Sequence, residues 1–154
     1  MIENVVNKIR CRSREKKLNV LLTLLKATPD DKILEVGVTN QEYSPTDNFF
    51  IKSYPYPKKI VVLEFGDLLE FRRNYPEIPE ISYDGKVFPF RDRQFDIVHA
   101  NAVIERVGPF EAQGIFLREM VRVSKRGMIS TPNIFSYRIT YKSTLTPLGG
   151  EKRI

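Results

Sequence analysis

The stretch from Phe88 to Asn133, FPFRDRQFDIVHANAVIERVGPFEAQGIFLREMVRVSKRGMISTPN, decides the fold. Phe95 to Ala100 is a short apolar run between polar turns, the pattern of a buried strand. From Phe110 to Ser124 the apolar residues recur at three-and-four spacing. Phe110, Leu117 and Val121 fall on one line and Phe116, Met120 and Val123 on the next, which predicts an amphipathic helix. GMIST is a second apolar strand, closed by Thr131-Pro132-Asn133. Strand, helix and strand of these lengths make a crossover unit, and crossovers join parallel strands.

The same alternation continues upstream. DKILEVG carries Ile33, Leu34 and Val36 in a near-continuous apolar run ended by Gly37, as a strand buried on both faces requires. KIVVLEF is a second strand and EISYDG a brief third. Between the first two, SPTDNFFIKSY predicts a short helix with Ser44 as N-cap and Pro45 at its first position. YPYPKK then breaks it, because both prolines push their neighbours to extended conformations. DLLEFRRNY predicts a helix capped by Asp67, with Leu68, Leu69 and Phe71 available to pack.

At the N-terminus a helix is expected from about Glu3 to Lys26, interrupted near Cys11 to Arg14. Val5, Val6 and Ile9 make one apolar stripe. Leu18, Leu21, Leu22 and Leu25 make another that suits packing on a sheet, leaving the basic residues on the solvated face. The expected architecture is one α/β domain over 1–154, with an N-terminal helical segment at 1–28, a core at 32–133 and a tail at 134–154. The core is a Rossmann-like, doubly wound, mostly parallel sheet with helices on both faces.

Composition narrows the function classes. With 42% hydrophobic and 29% charged residues the chain is ordinary for a soluble globular domain, and a cytoplasmic location is the default expectation. No run approaches the roughly 20 apolar residues of a membrane span. A single cysteine, Cys11, and a single histidine, His99, give neither an intramolecular disulfide nor a recognisable zinc site. The formal charge of +6 leaves room for an anionic partner. Lys8, Arg10, Arg12, Arg14, Lys16 and Lys17 cluster within ten residues, yet they lack the interleaved aromatics that stack nucleic-acid bases.

Three features together carry a resemblance: the FPF-x-D-x-x-FDIV strand entry, the AVIE after that strand, and the RV-x-K-x-G before the next. They resemble class I S-adenosylmethionine-dependent methyltransferases of the small-molecule, methyltransferase type 11-like branch. The likeness spans about Lys32 to Asn133. It implies S-adenosylmethionine as cofactor and a small-molecule methyl acceptor.

The resemblance also implies site residues, all near the carboxyl ends of strands, where doubly wound sheets bind ligands. Glu35-Val36-Gly37 matches the acidic-x-glycine that opens the cofactor loop. Gly37 lets the backbone approach the ligand closely. The family usually continues with further glycines, whereas here the loop reads Val38-Thr39-Asn40-Gln41. Thr39 is expected to offer its hydroxyl to a carboxylate, and Asn40 can adopt a left-handed conformation. Glu64 is implied to accept from both ribose hydroxyls, with Asp67 as rival. Asp84 and Gly85 face the adenine or form an ordinary Asp-Gly turn.

Asp96 is implied to be structural. After the fourth strand, Ala100 lies on the cofactor side and Asn101 is the better polar contact for catalysis. Arg106 stands where many relatives carry histidine, and a guanidinium cannot serve as a base near neutral pH. It can instead hold a carboxylate or phosphate of the substrate, or be an exposed charge. His99 is either a base or a satisfied structural residue. Asn133 is placed to bond substrate.

A complete fold of this family adds an antiparallel strand hairpin after the fifth strand. The 21 residues after Asn133 hold one strand or one helix, with Phe135, Tyr137, Ile139 and Tyr141 alternating, so a reduced or truncated domain is expected. Its exposed edge is expected to be covered by the tail or by a second copy in a homodimer. Two alternatives to methyl transfer stand beside it. One is a methyltransferase-like module for binding or assembly without catalysis. The other is a nucleic-acid-binding protein that uses the basic N-terminal helix.

Overall fold

The computed structural model describes residues 2–131. Its five strands form a parallel sheet in the order β3-β2-β1-β4-β5, with β1 at Ile33–Val36, β2 at Ile60–Glu64, β3 at Glu80–Ser82, β4 at Phe95–Asn101 and β5 at Ser124–Ser130. The strand order reverses between β1 and β4, whose carboxyl ends therefore open a crevice. In register, Ile33 pairs Ile60 on one side and Ile97 on the other.

Side chains alternate across the sheet, and two cores result. Ile33, Ile60, Val62 and Ile97 point to one face, where they meet Leu21, Phe50, Ile51 and Phe71. These come from α1 (Ile2–Leu24), α2 (Phe49–Ser53) and α3 (Leu69–Asn74). Leu34, Val36, Leu63, Val98 and Ala100 point to the other, against Phe116, Met120 and Val123 of α4 (Phe110–Val123). Helices cover both faces, as the alternation of elements predicts.

No helix joins β3 to β4. The segment after β3 instead inserts Phe88 and Phe90 into the second core. Arg122 of α4 fastens it, donating to the carbonyls of Phe90 at 2.8 Å and Phe88 at 3.0 Å. Glu119, one turn earlier, accepts from the Phe88 amide at 2.8 Å. Asp96 is structural here: its carboxylate accepts from the Lys32 amide at 2.9 Å and pairs with Lys125 at 2.8 Å.

Several local expectations are corrected. The first helix runs unbroken through Cys11 to Arg14, because that segment contains strong helix formers and neither glycine nor proline. Val5 and Ile9 are exposed, so only the leucine stripe packs, led by the fully buried Leu21. Ser44 closes a turn rather than capping a helix, its amide bonding Asp47 Oδ2 at 2.8 Å. Helix α2 begins only at Phe49, after the left-handed Asn48. In α4 the line of Phe116, Met120 and Val123 is buried, while Phe110 and Val121 are 84% and 77% exposed and Leu117 is also exposed. The tail with its alternating aromatics, Pro132 and Asn133, and whatever covers the β5 edge lie outside the described residues.

Candidate functional site

The carboxyl ends of the strands open onto a cavity of about 660 Å³, within the range of small-molecule sites. Glu35, Gly37, Thr39, Glu64, Asp84, Gly85, Asn101 and Arg106 all line it. Two predicted residues do not. Asp67 is exposed, and its carboxylate accepts from the Leu69 amide at 3.1 Å, so it serves the start of α3. Ala100 is fully buried within the second core and does not reach the cavity, whereas its neighbours His99 and Asn101 line it.

Gly37 leaves β1 with φ +86°, a conformation that costs any residue with a Cβ. The contact above it is equally restrictive: a Cβ there would stand 2.2 Å from Val103 Cγ2. The glycine-poor loop that follows is held by side chains. The Val38 amide donates to Glu64 Oε2 at 2.9 Å. Thr39 donates its amide to Asn48 Oδ1 at 2.8 Å, and its carbonyl accepts from Asn48 Nδ2 at 2.8 Å. Asn40 is not left-handed; its Oδ1 accepts the amides of Glu70 at 2.9 Å and Phe71 at 3.0 Å, anchoring the loop to α3.

Glu64 ends β2 with both oxygens turned to backbone amides, Val38 at 2.9 Å and Phe65 at 2.9 Å. A carboxylate oxygen accepts more than one bond, so each retains capacity for a ligand hydroxyl. Burial pushes this carboxyl above its ordinary range, against the pull of the two amides and the Arg106 charge. Asp84 forms the Asp-Gly turn, accepting from the Lys86 amide at 2.9 Å, with Gly85 at φ +81°. Phe65 stands over this turn, 67% exposed and lining the cavity.

Beneath the cavity His99 and Glu35 face each other at paired positions of β4 and β1, Nδ1 to Oε2 2.5 Å. Both are buried, and the imidazole stacks on Phe50 with centroids 4.5 Å apart. Burial pushes the Glu35 carboxyl up while His99 draws it down. Thus the one histidine is committed to a buried partner. Arg106 sits exposed in a 3-10 turn, Ile104–Arg106, at the cavity rim.

Arg14, Lys17, Asn48, Phe65 and Val103 line the cavity without having been foreseen. For Arg14 and Lys17 a signal exists. They stand four residues before Leu18 and Leu21, and residues at that spacing share a helix face. The buried leucine stripe therefore continues as a cationic one. Lys17 Nζ donates to Asn101 Oδ1 at 2.9 Å, and Arg14 donates to the Thr46 carbonyl. Among the described residues no group of His, Cys, Asp and Glu could hold a metal ion, and no helix is long and apolar enough to cross a membrane.

The model of the methyltransferase-domain family matches residues 64–129. No curated protein sequence matches the chain. Solved structures share its fold. The YcgJ protein of Bacillus subtilis superposes with a TM-score of 0.56 at 14% identity, covering 75% of this chain and 50% of its own. A SAM-dependent methyltransferase of Thermotoga maritima gives 0.53 at 17% identity, covering 89% and 69%. The methyltransferase CalH, solved with S-adenosylhomocysteine, gives 0.52 at 14%, covering 82% and 37%. The chain thus spans half of the YcgJ protein's length.

Proposed function

Because the chain has the fold of class I S-adenosylmethionine-dependent methyltransferases and matches their domain family, we propose that it binds S-adenosylmethionine and methylates a small-molecule acceptor. The observation that carries this reading is the junction of Gly37, Val38 and Glu64. A bare backbone turn and a carboxylate with spare acceptor capacity stand side by side at the switch in strand order. CalH, of the same fold, is a methyltransferase solved with the demethylated cofactor.

The residues present fit such a group. Glu64 would take the ribose hydroxyls and Gly37 would let the backbone approach. Asp84 would accept from the adenine amino group, while the exposed ring of Phe65 would cover the adenine face. When bound, the cofactor supplies a methyl group on a positively charged sulfur, open to attack by an oxygen, nitrogen or carbon nucleophile.

What this chain contributes is placement. Holding two reactants in line removes much of the entropic barrier to a bimolecular step. Asn101 and Arg106 are the polar groups that would orient an acceptor in the cavity. Neither is a base, and His99 is engaged by Glu35, so a bound acceptor would lose its proton to solvent or arrive already deprotonated.

Calorimetric titration with S-adenosylmethionine and S-adenosylhomocysteine, repeated on Glu64→Ala, tests the reading. Micromolar binding that weakens at least about tenfold in the variant supports it, since two charge-assisted bonds are lost. A folded protein that binds neither at millimolar concentration refutes it.

A further inference from the structure

We propose that a second copy of this chain docks on the outward face of α4, the two helices running antiparallel about a two-fold axis. The inference is independent of the methyl-transfer reading.

A helix lying on a sheet turns its apolar side inward and its polar side to water. Helix α4 departs from this. Phe116, Met120 and Val123 meet the second core, yet Phe110, Leu117 and Val121 are 84%, 41% and 77% exposed. Their spacing puts these three on one line of the helix, turned away from the sheet. Gly114 falls on the same line, four residues after Phe110 and three before Leu117. A glycine inside a helix is destabilising relative to alanine. Nothing among the described residues requires this one, since a Cβ there would meet only the end of the Arg118 side chain, at 3.5 Å. A gap of this kind lets a second helix come close.

The line is complementary to itself, as an isologous two-fold contact demands. Turned end for end about a point between Ile115 and Phe116, Phe110 of one copy comes level with Val121 of the partner subunit. Gly114 comes level with Leu117 of the partner subunit, so each leucine fills the gap left by the other copy's glycine. Beside Val121 a recess of about 310 Å³ opens between α4 and the outer strand β5, lined by Leu117, Met120, Val121 and Ile129. It lies at the level where the partner's Phe110 arrives.

The charges agree with the same arrangement. Glu111 and Arg118 are exposed on one flank of the line, and neither has an ion pair among the described residues. In an antiparallel pair equal flanks face each other. Glu111 of each copy therefore lies beside the partner's Arg118, twice by symmetry. One surface thus carries both halves of every contact: large and small, ring and recess, acid and base. That is the reason to name a copy of this chain as the occupant.

Sedimentation equilibrium of the full chain over about 1–500 µM tests the proposal. The expected result is a monomer–dimer equilibrium with Kd on the order of 10 µM, as suits a contact smaller than the standard interface. Phe110→Ser and Val121→Asp should each weaken association at least about tenfold. Both should melt like the wild-type monomer at low concentration, because the two side chains face solvent there. Glu111→Arg and Arg118→Glu should each weaken association about fivefold, and the double variant should return to within about twofold of wild type.

A chain that stays monomeric at about 500 µM overturns the proposal. So does a dimer that folded Phe110→Ser and Val121→Asp leave unchanged, which moves the contact to the β5 edge or another surface. A double charge variant no tighter than its single parents removes the antiparallel pairing, and the proposal with it.

Discussion

Asn48 grips Thr39 by both of its backbone polar groups, accepting from the amide and donating to the carbonyl at 2.8 Å each. This side chain sets the path of the backbone in the loop after β1, beside the cavity. Asn48 adopts φ +48°, which asparagine tolerates better than most residues, and its amide also reaches Glu42 at 2.9 Å.

Replacing Asn48 by alanine should destabilise the fold by about 1–2 kcal/mol, the cost of leaving a polar backbone unit without its partner. S-adenosylhomocysteine affinity should fall with it. Asn48→Asp keeps the acceptor and loses the donor, so it should land between the two. Chemical denaturation and calorimetry on the three proteins check the order.

Gly37→Ala meets two obstacles at once, a positive φ and the Val103 methyl 2.2 Å from the new Cβ. A loss of about 1–3 kcal/mol is expected, together with loss of cofactor binding. Adding Val103→Ala should recover the steric part and leave the conformational part of about 1 kcal/mol. A double-mutant cycle separates the two.

The buried pair of Glu35 and His99 makes stability depend on pH in an unusual direction. Burial holds the Glu35 proton more tightly in the folded chain than in the unfolded one. Its contribution is therefore fully present below the unfolded carboxylate pKa and is lost as pH rises through the higher folded value. Asp96, drawn down chiefly by Lys125, and Glu119, drawn down chiefly by Arg122, act oppositely. Their stabilisation is present above the unfolded value and is lost as pH falls through the folded one. Denaturation midpoints across pH should show Glu35→Gln removing the fall on the alkaline side while leaving the acid limb intact.

Tyr54 is buried beneath α2, and its hydroxyl has no partner among the described residues. Burial pushes that phenol up to about 12. Tyr54→Phe should leave stability unchanged or raise it by up to about 1 kcal/mol, because no bond is given up. A fall in melting temperature would show that the hydroxyl is engaged.

The parts of this molecule legible in the sequence are those governed by local pattern. Apolar runs ending at Gly37, Glu64 and Ala100 mark the strands, and parallel order follows from the crossovers between them. Strand ends in turn placed Glu64, Asp84 and Asn101 at the cavity. Asn48 was invisible because its role depends on a turn that brings it back across nine residues. Arg14 and Lys17 line the cavity rather than the solvated face, because helical register outweighs charge in setting where they point. The apolar line of Phe110, Leu117 and Val121 shows the converse limit: periodicity reveals a face, but not what meets it.

Arg122 does the mechanical work of a whole missing element. One planar ion ties down the strap that bears Phe88 and Phe90, and through that strap it braces the wall carrying Asp84 and Gly85. A lysine offers a single point where this geometry needs a fork. The wall of the cavity thus draws its firmness from the far face of the sheet, where Arg122, Glu119 and the buried rings of Phe88 and Phe90 hold the strap without touching the ligand space.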